Sequence, residues 1–225
     1  MKGYGQFCPV AKATEIVGER WTPLVLRELF CGSRHFNALR RGVPLMSPSL
    51  LSQRLKSLER AGIVTRGRDG TKTIYALTEA GRELWPLIET LGMWGQRWAR
   101  SQLEDGDLDA GLLMWDIRRN VDPSHLPPRR TVVQFTFLDV PGADGTYWLV
   151  GDPGEVELCI KDPGYEVDLY VVSDLATLTQ VWLGDLGLAE ALAAARIELD
   201  GERALRESFR HWFALSPFAA VARPR

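Results

Sequence analysis

Met46-Ser47-Pro48-Ser49-Leu50-Leu51-Ser52-Gln53-Arg54-Leu55-Lys56-Ser57-Leu58-Glu59-Arg60-Ala61-Gly62-Ile63-Val64 reads as a helix that runs into a strand. Ser47 offers a capping hydroxyl, and Pro48 suits the first helical position. At about 100° per residue, Leu51, Leu55 and Leu58 fall on one face, while Ser49, Ser52, Gln53, Lys56 and Arg60 line the opposite one. That second face carries donors and positive charge without a carboxylate. A helix entering the major groove needs short polar groups and amides for base edges and cations for phosphates, which predicts a DNA-reading helix here; the plain alternative is a solvated face. Arg54 falls beside Leu50, off the polar stripe, and is expected to make a structural ion pair or a phosphate contact in preference to base readout.

Upstream, hydrophobic periodicity predicts helices over 9–17, 23–31 and 34–41, with Cys8 a weak cap before Pro9 and Thr22 a good one before Pro23. Downstream, Ile63–Arg66 and Thr73–Leu77 flank Arg68-Asp69-Gly70-Thr71, where Asp-Gly supplies the positive φ of a tight hairpin turn. Arg66, Arg68 and Lys72 crowd its tip, a second phosphate or minor-groove contact. A long helix over 79–100 then places Leu84, Leu87, Ile88, Leu91, Trp94 and Trp98 at helical spacing. This stripe is wider than a small domain needs and predicts a dimer seam, unless it packs only on its own domain.

Charge divides the chain. Residues 1–100 hold 16 Lys and Arg against 8 Asp and Glu, the remainder holds 11 against 21, and the whole carries −2. A basic half suits a polyanion, whereas the acidic half must do something else. Cys8, Cys31 and Cys159 are odd in number and widely spaced, and His35, His125 and His211 do not complete a set, so neither a disulfide framework nor a metal site is expected. No apolar run is long enough to span a bilayer, and Met1-Lys2-Gly3-Tyr4-Gly5 lacks the apolar core of a secretion signal. The expectation is a soluble, reduced, cytoplasmic protein without membrane partners.

Three helices, the last of them the DNA-reading one, followed by a two-stranded ribbon, make a winged helix-turn-helix. Cys8-Pro9-Val10, Gly18-Glu19-Arg20-Trp21, His35-Phe36-Asn37-Ala38-Leu39, Leu50-Leu51-Ser52-Gln53-Arg54-Leu55, Ala61-Gly62-Ile63-Val64, Leu77-Thr78-Glu79-Ala80-Gly81 and Trp94-Gly95 resemble the ordered motifs of the HxlR family, over residues 7 to about 100. The resemblance implies a dimeric, MarR-related bacterial regulator. It departs from the family where His35 stands in place of the usual Arg, and where the wing lacks the usual Pro and Glu before Tyr75. Some HxlR relatives sense electrophiles or oxidants through a cysteine near the amino end, which marks Cys8, placed where a helix dipole favours thiolate; the alternative is a buried, inert thiol.

In the acidic half, Glu104-Asp105-Gly106-Asp107 marks a linker between a domain of residues 1–101 and one of 104–225. A short helix with Leu108, Leu112 and Trp115 precedes strands in which Val133, Phe135 and Phe137, then Tyr147–Val150, then Val156, Leu158 and Ile160, then Val167, Leu169 and Val171 alternate with polar residues. Turn chemistry at Pro141-Gly142, Asp152-Pro153-Gly154 and Asp162-Pro163-Gly164 joins them into an antiparallel meander with one wet face. Glu155, Glu157, Glu166 and Asp168 belong to that wet face, and no nucleophile accompanies them. Helices from Asp174 and through 189–195, a strand at Ile197–Leu199 and a last helix holding Leu205, Phe209, Trp212 and Phe213 complete an α+β chain. Asp162-Pro163-Gly164-Tyr165, Trp182-Leu183-Gly184-Asp185 and Leu199-Asp200-Gly201 resemble sterol-carrier-protein-type-two-like domains, which implies an apolar tunnel. Trp115, Phe135, Phe137, Trp148, Trp182, Phe209 and Trp212 would line it, or simply fill the core.

The expected function is a homodimeric transcriptional regulator on double-stranded operator DNA, joined through the N-terminal helix and helix 79–100, with a small apolar effector. Arg34, Arg66, Arg68 and Lys72 would hold phosphates; Ser49, Ser52, Gln53 and Lys56, with Ser47 at the helix start, would face bases; Arg54 and His35 would serve phosphate or structure. No catalytic residue, metal or cofactor is expected. The rival readings are a thiol switch through Cys8 and a lipid carrier.

Overall fold

The computed structural model describes residues 3–99 and 104–222, and contacts divide the chain into two units, Met1–Met93 and Trp94–Arg225. The expected domain end at residue 101 and helix end at residue 100 lie outside the described residues.

Unit 1 opens with α1 (Pro9–Val17), α2 (Thr22–Phe30) and α3 (Phe36–Arg41). The cap of α2 differs from expectation. Trp21, at φ 77°, occupies the capping position, and Thr22 is the first helical residue with its side chain buried. Next comes α4 (Pro48–Arg60), where the Leu50 N–H donates to Ser47 Oγ at 3.3 Å. Its Leu51, Leu55 and Leu58 are buried with Val25, Leu26, Leu39, Met46 and Ile88. Each such leucine contributes roughly 1.5–3 kcal/mol, so the apolar stripe fixes which face of α4 is left outside.

β1 (Val64–Asp69) and β2 (Lys72–Leu77) pair antiparallel, with Val64 opposite Leu77 and Asp69 opposite Lys72. The two-residue loop is therefore Gly70-Thr71, and Gly70 takes φ +56°, a conformation that suits glycine at the first central position of a hairpin turn. The helix expected over 79–100 is broken into α5 (Glu79–Arg82), α6 (Trp85–Trp94) and a π-helical turn over Gly95–Ala99. Pro86 is the cause: it lacks an N–H and its ring would crowd the carbonyl four residues back, at the last residue of α5. The apolar stripe divides accordingly. Ile88 is buried in the core and Leu84 packs against it, whereas Leu87, Leu91, Trp94 and Trp98 are exposed.

In unit 2, Asp109 caps α7 (Ala110–Asn120) by accepting from Leu112 N–H at 2.7 Å. Then follow β3 (Thr131–Phe137), β4 (Thr146–Asp152), β5 (Glu155–Cys159), β6 (Leu169–Ser173), α8 (Leu175–Trp182), α9 (Leu188–Ala193), β7 (Ile197–Gly201) and α10 (Arg203–Trp212). The sheet order is β5-β4-β3-β6-β7. Only β3, β4 and β5 form the expected antiparallel meander; β6 pairs parallel with β3, so the sheet is mixed. The segment 160–168 carries the chain back past β4 and β3, and Asp168 fastens the new neighbour: its N–H donates to Val132 O (2.9 Å) and its carboxylate accepts from Val132 N–H (2.7 Å) and Arg129 (2.8 Å). Asp168 is thus half-buried and paired, whereas Glu155 and Glu157 are exposed on β5 as expected of a wet face. Ile160, expected to face inward, lies beyond the end of β5 and is exposed.

One sheet face, carrying Val133, Phe135, Phe137, Leu149, Val156, Leu158, Leu169 and Val171, is buried; α7 packs on β5, and α9 and α10 pack on β7. Phe209 meets Trp212 edge-on at 4.8 Å and stacks on Phe213 at 5.0 Å.

Candidate nucleic-acid interface

α4 turns Ser49, Gln53, Lys56 and Arg60 outward, with Ser52 half-buried among them. Ser47 Oγ, which caps the helix, also lies 3.1 Å from Ser49 Oγ, so this pair is tied to the helix start. On the wing, Arg66, Arg68 and Lys72 are exposed. A groove of about 210 Å³ between α4 and the wing is lined by Ser52, Lys56, Arg66, Glu59 and Tyr75, so three expected contact residues from two elements meet there.

Glu59 and Tyr75 escaped the sequence reading. Glu59 stands seven residues after Ser52, two helical turns, on the edge of the polar stripe, so the polar side of α4 does carry a carboxylate. Its spacing was a readable signal. Tyr75 lies opposite Arg66 in the hairpin register, which is set only once the loop is known to be Gly70-Thr71.

Arg34 leaves its side chain exposed while its carbonyl accepts from Tyr75 N–H at 2.8 Å. The next residue, His35, bonds through Nδ1 to the Thr73 carbonyl at 3.2 Å. Together they fasten β2 to the start of α3. Arg54 pairs with Glu19 at the α1–α2 corner.

Cys8 is half-exposed at the capping position of α1 and makes no capping hydrogen bond through its thiol. In unit 2, Phe135, Phe209 and Trp212 are fully buried, and Phe137, Trp115 and Trp182 nearly so. Trp148 stands apart from them. It pairs across the ladder with Gln134 and donates Nε1–H to Gln134 Oε1 at 3.1 Å, which puts it on the sheet face opposite Phe135 and Phe137. Among the described residues, no group of three or more His, Cys, Asp or Glu is arranged to hold a metal ion, and no helix is long and apolar enough to cross a membrane.

Residues 16–103 match the HxlR-like helix-turn-helix family. The HTH-type transcriptional regulator YvaP of Bacillus subtilis is 33% identical over 97 residues, 41% of this chain and 90% of that protein. The chain belongs to the HxlR-like family. An HTH-type transcriptional regulator of Mycobacterium bovis is 44% identical over 92 residues, 40% of this chain, and the chain spans 58% of that relative's length. Among solved structures, the redox regulator HypR in its oxidised form is similar at 31% identity and a TM-score of 0.38, over 44% of this chain and 99% of HypR. The HxlR-like segment takes in α2 through α6 and the wing.

Proposed function

We propose that the chain is a transcriptional regulator that binds operator DNA as a homodimer through unit 1. One observation carries the reading: α4 buries Leu51, Leu55 and Leu58, presents Ser49, Ser52, Gln53 and Lys56 on the opposite side, and shares a groove with wing residue Arg66. Short polar groups and an amide serve base edges, and the cations of α4 and the wing serve phosphates. The test is Gln53→Ala on a duplex obtained by selection from random sequence. Cognate affinity should fall by about 1–3 kcal/mol while affinity for a scrambled duplex stays nearly unchanged. Equal weakening on both duplexes would overturn base readout by Gln53.

Glu59 sharpens the electrostatic side. A carboxylate in a groove that faces phosphates opposes binding of any sequence, so Glu59→Gln should tighten binding to the scrambled duplex by roughly three- to tenfold at low salt, the effect of about 1 kcal/mol for one unscreened unit charge. Fluorescence anisotropy across a salt series checks it, and the gain should fade as salt rises.

Unit 2 is read as the sensor of a small apolar molecule on its resemblance to sterol-carrier-protein-type-two-like domains; the burial of Trp115, Phe135, Phe137, Trp182, Phe209 and Trp212 is equally that of a filled core. An apolar compound library that never raises the melting temperature of the full chain would withdraw that role. The Cys8 position favours a second reading, a thiol switch: the sulfur is half-exposed at the positive end of α1. Mild peroxide should then release DNA from the wild type and leave Cys8→Ser complexes intact.

A further inference from the structure

The groove between α4 and the wing gathers four donor side chains from two elements: Ser52 and Lys56 from α4, Arg66 and Tyr75 from the wing. The Ser52 hydroxyl, the Lys56 ammonium, the Arg66 guanidinium and the Tyr75 hydroxyl all lack a hydrogen-bond or ion-pair partner among the described residues. Arg27, Arg54, Arg129 and Arg130, by contrast, are each paired with a carboxylate. Lys56 even stands three residues before Glu59, a spacing at which helical ion pairs form, and the two are not paired.

The hairpin register decides which wing residues belong to the groove. Arg66 lies opposite Tyr75 and Arg68 opposite Thr73, so all four share a face with Val64 and Leu77. Val64 is buried, and Leu77 and Tyr75 pack against the core of unit 1, which turns that face toward the body of the unit. Lys72 lies opposite Asp69 and belongs to the other face. Both walls of the groove are anchored. Leu51 and Leu55 hold α4 in the same core, the Tyr75 N–H donates to the Arg34 carbonyl at 2.8 Å, and His35 Nδ1 bonds to the Thr73 carbonyl at 3.2 Å.

We infer that this groove is a preformed seat for one phosphate group of the DNA backbone, held by Ser52, Lys56, Arg66 and Tyr75 together, with the Tyr75 hydroxyl a direct DNA contact. A backbone phosphate shares one negative charge over two unbridged oxygens, and each oxygen accepts more than one hydrogen bond, so four converging donors match it. The charge agrees in sign: two cations against the single carboxylate of Glu59 leave +1 in the groove. Because the walls are fixed by the core and by β2, little ordering is needed on binding. This inference rests on the reading of α4 as the DNA-contacting helix and alters two roles within it. Ser52 moves from base edges to the backbone, and Lys72 stands outside the seat.

The test measures the full chain by fluorescence anisotropy over a salt series, on the selected duplex and on a scrambled one. Tyr75→Phe removes the hydroxyl and keeps the ring that packs on the core, so the melting temperature should stay within about 2 °C of wild type. Its affinity should fall about tenfold on both duplexes, as fits a hydrogen bond to a charged group, with the salt dependence unchanged because no charge is lost. Arg66→Ala should weaken both duplexes and flatten the salt dependence by about one unit. Combined, Arg66→Ala and Tyr75→Phe should lose less than the product of their separate losses, since both act on one phosphate, whereas Lys72→Ala with Tyr75→Phe should lose the full product. A merely structural Tyr75 would leave DNA affinity unmoved in the Phe variant, and that result overturns the seat. A loss confined to the selected duplex overturns the phosphate as its occupant, and independent losses for Arg66 and Tyr75 overturn their sharing of one phosphate. Wild type that binds neither duplex overturns the regulator reading and the seat together; wild type that binds both, matched by Tyr75→Phe, overturns the seat alone.

Discussion

Gly201→Ala is expected to destabilise unit 2 by about 3–5 kcal/mol, among the largest effects of any single methyl group in this chain. Gly201 ends β7 at φ +135°, a backbone setting that side chains rarely adopt. A Cβ there would also stand 2.3 Å from the Asp168 carbonyl oxygen, and that obstacle is backbone. It cannot move cheaply, because Asp168 is held by Val132 on both its N–H and its carboxylate, and its carbonyl accepts from Glu202 N–H at 2.9 Å. Either Gly201 leaves β7, unpairing it from Leu169, or the β3–β6 junction gives. For a unit of this size the melting temperature should fall by roughly 10–20 °C. Scanning calorimetry with circular dichroism on the full chain checks this. The transition that carries unit 2 should shift while operator binding at 25 °C, a property assigned to unit 1, stays within twofold. A melt unchanged within 2 °C would mean that the close approach is not a constraint in solution.

The winged helix was legible because local signals there agree with the tertiary outcome. Ser47 and Pro48 start α4 as their chemistry dictates, the leucine spacing chooses the buried face, and Gly70 closes the wing. Errors arose where a local rule met a longer-range one. Thr22 is a good capping residue by type, but the corner formed by Glu19 and Trp21 buries it as the first helical residue instead. The stripe over 79–100 is periodic enough to read as one helix, and a single proline divides it.

Sheet order was the least legible feature. Alternation in 155–160 and 166–171 tells which residues of a strand share a face and says nothing about which strand lies next to it. The parallel neighbour β6 is held by burial of Leu169 and Val171 and fastened by Asp168 and Arg129, residues 39 apart in the chain, which no short window contains. The same blindness grouped Trp148 with Phe135 and Phe137, although the ladder puts it on the other face. For the groove between α4 and the wing, Glu59 was readable from helical spacing alone, whereas Tyr75 required the hairpin register. The Thr22 hydroxyl, without a partner among the described residues, had no sequence signature, since a missing partner is a property of the surrounding helices.

Leu87→Glu combined with Leu91→Glu is expected to convert a dimer to a monomer and to lower operator affinity by at least about 100-fold, the consequence of confining each protein to one half-site. Both leucines are on α6, one turn apart, and are 42% and 48% exposed, while Trp94 on the next turn is 59% exposed. On α1, Val10 is 72% exposed, and every residue of that helix keeps some solvent contact. These exposed apolar side chains of α6 and α1 are the surface on which the proposed homodimer would form. By two-fold symmetry the two changes remove four leucines from the interface and add four carboxylates. Each leucine has 42% or 48% of its surface left to bury, so at roughly 1.5–3 kcal/mol for a whole side chain the four together lose about 3–5 kcal/mol before repulsion is counted, enough to weaken a dimer by at least about 100-fold. Since Ile88 and Leu84, which face the core of unit 1, are untouched, the monomer should retain its helical content. Light scattering on a sizing column gives the mass, and anisotropy gives the affinity for a two-half-site duplex and for a single half-site. The double variant should lose its preference for the former. A variant with the wild-type mass places the seam elsewhere, and one that is monomeric yet binds the two-half-site duplex as tightly as wild type removes dimerisation from DNA recognition.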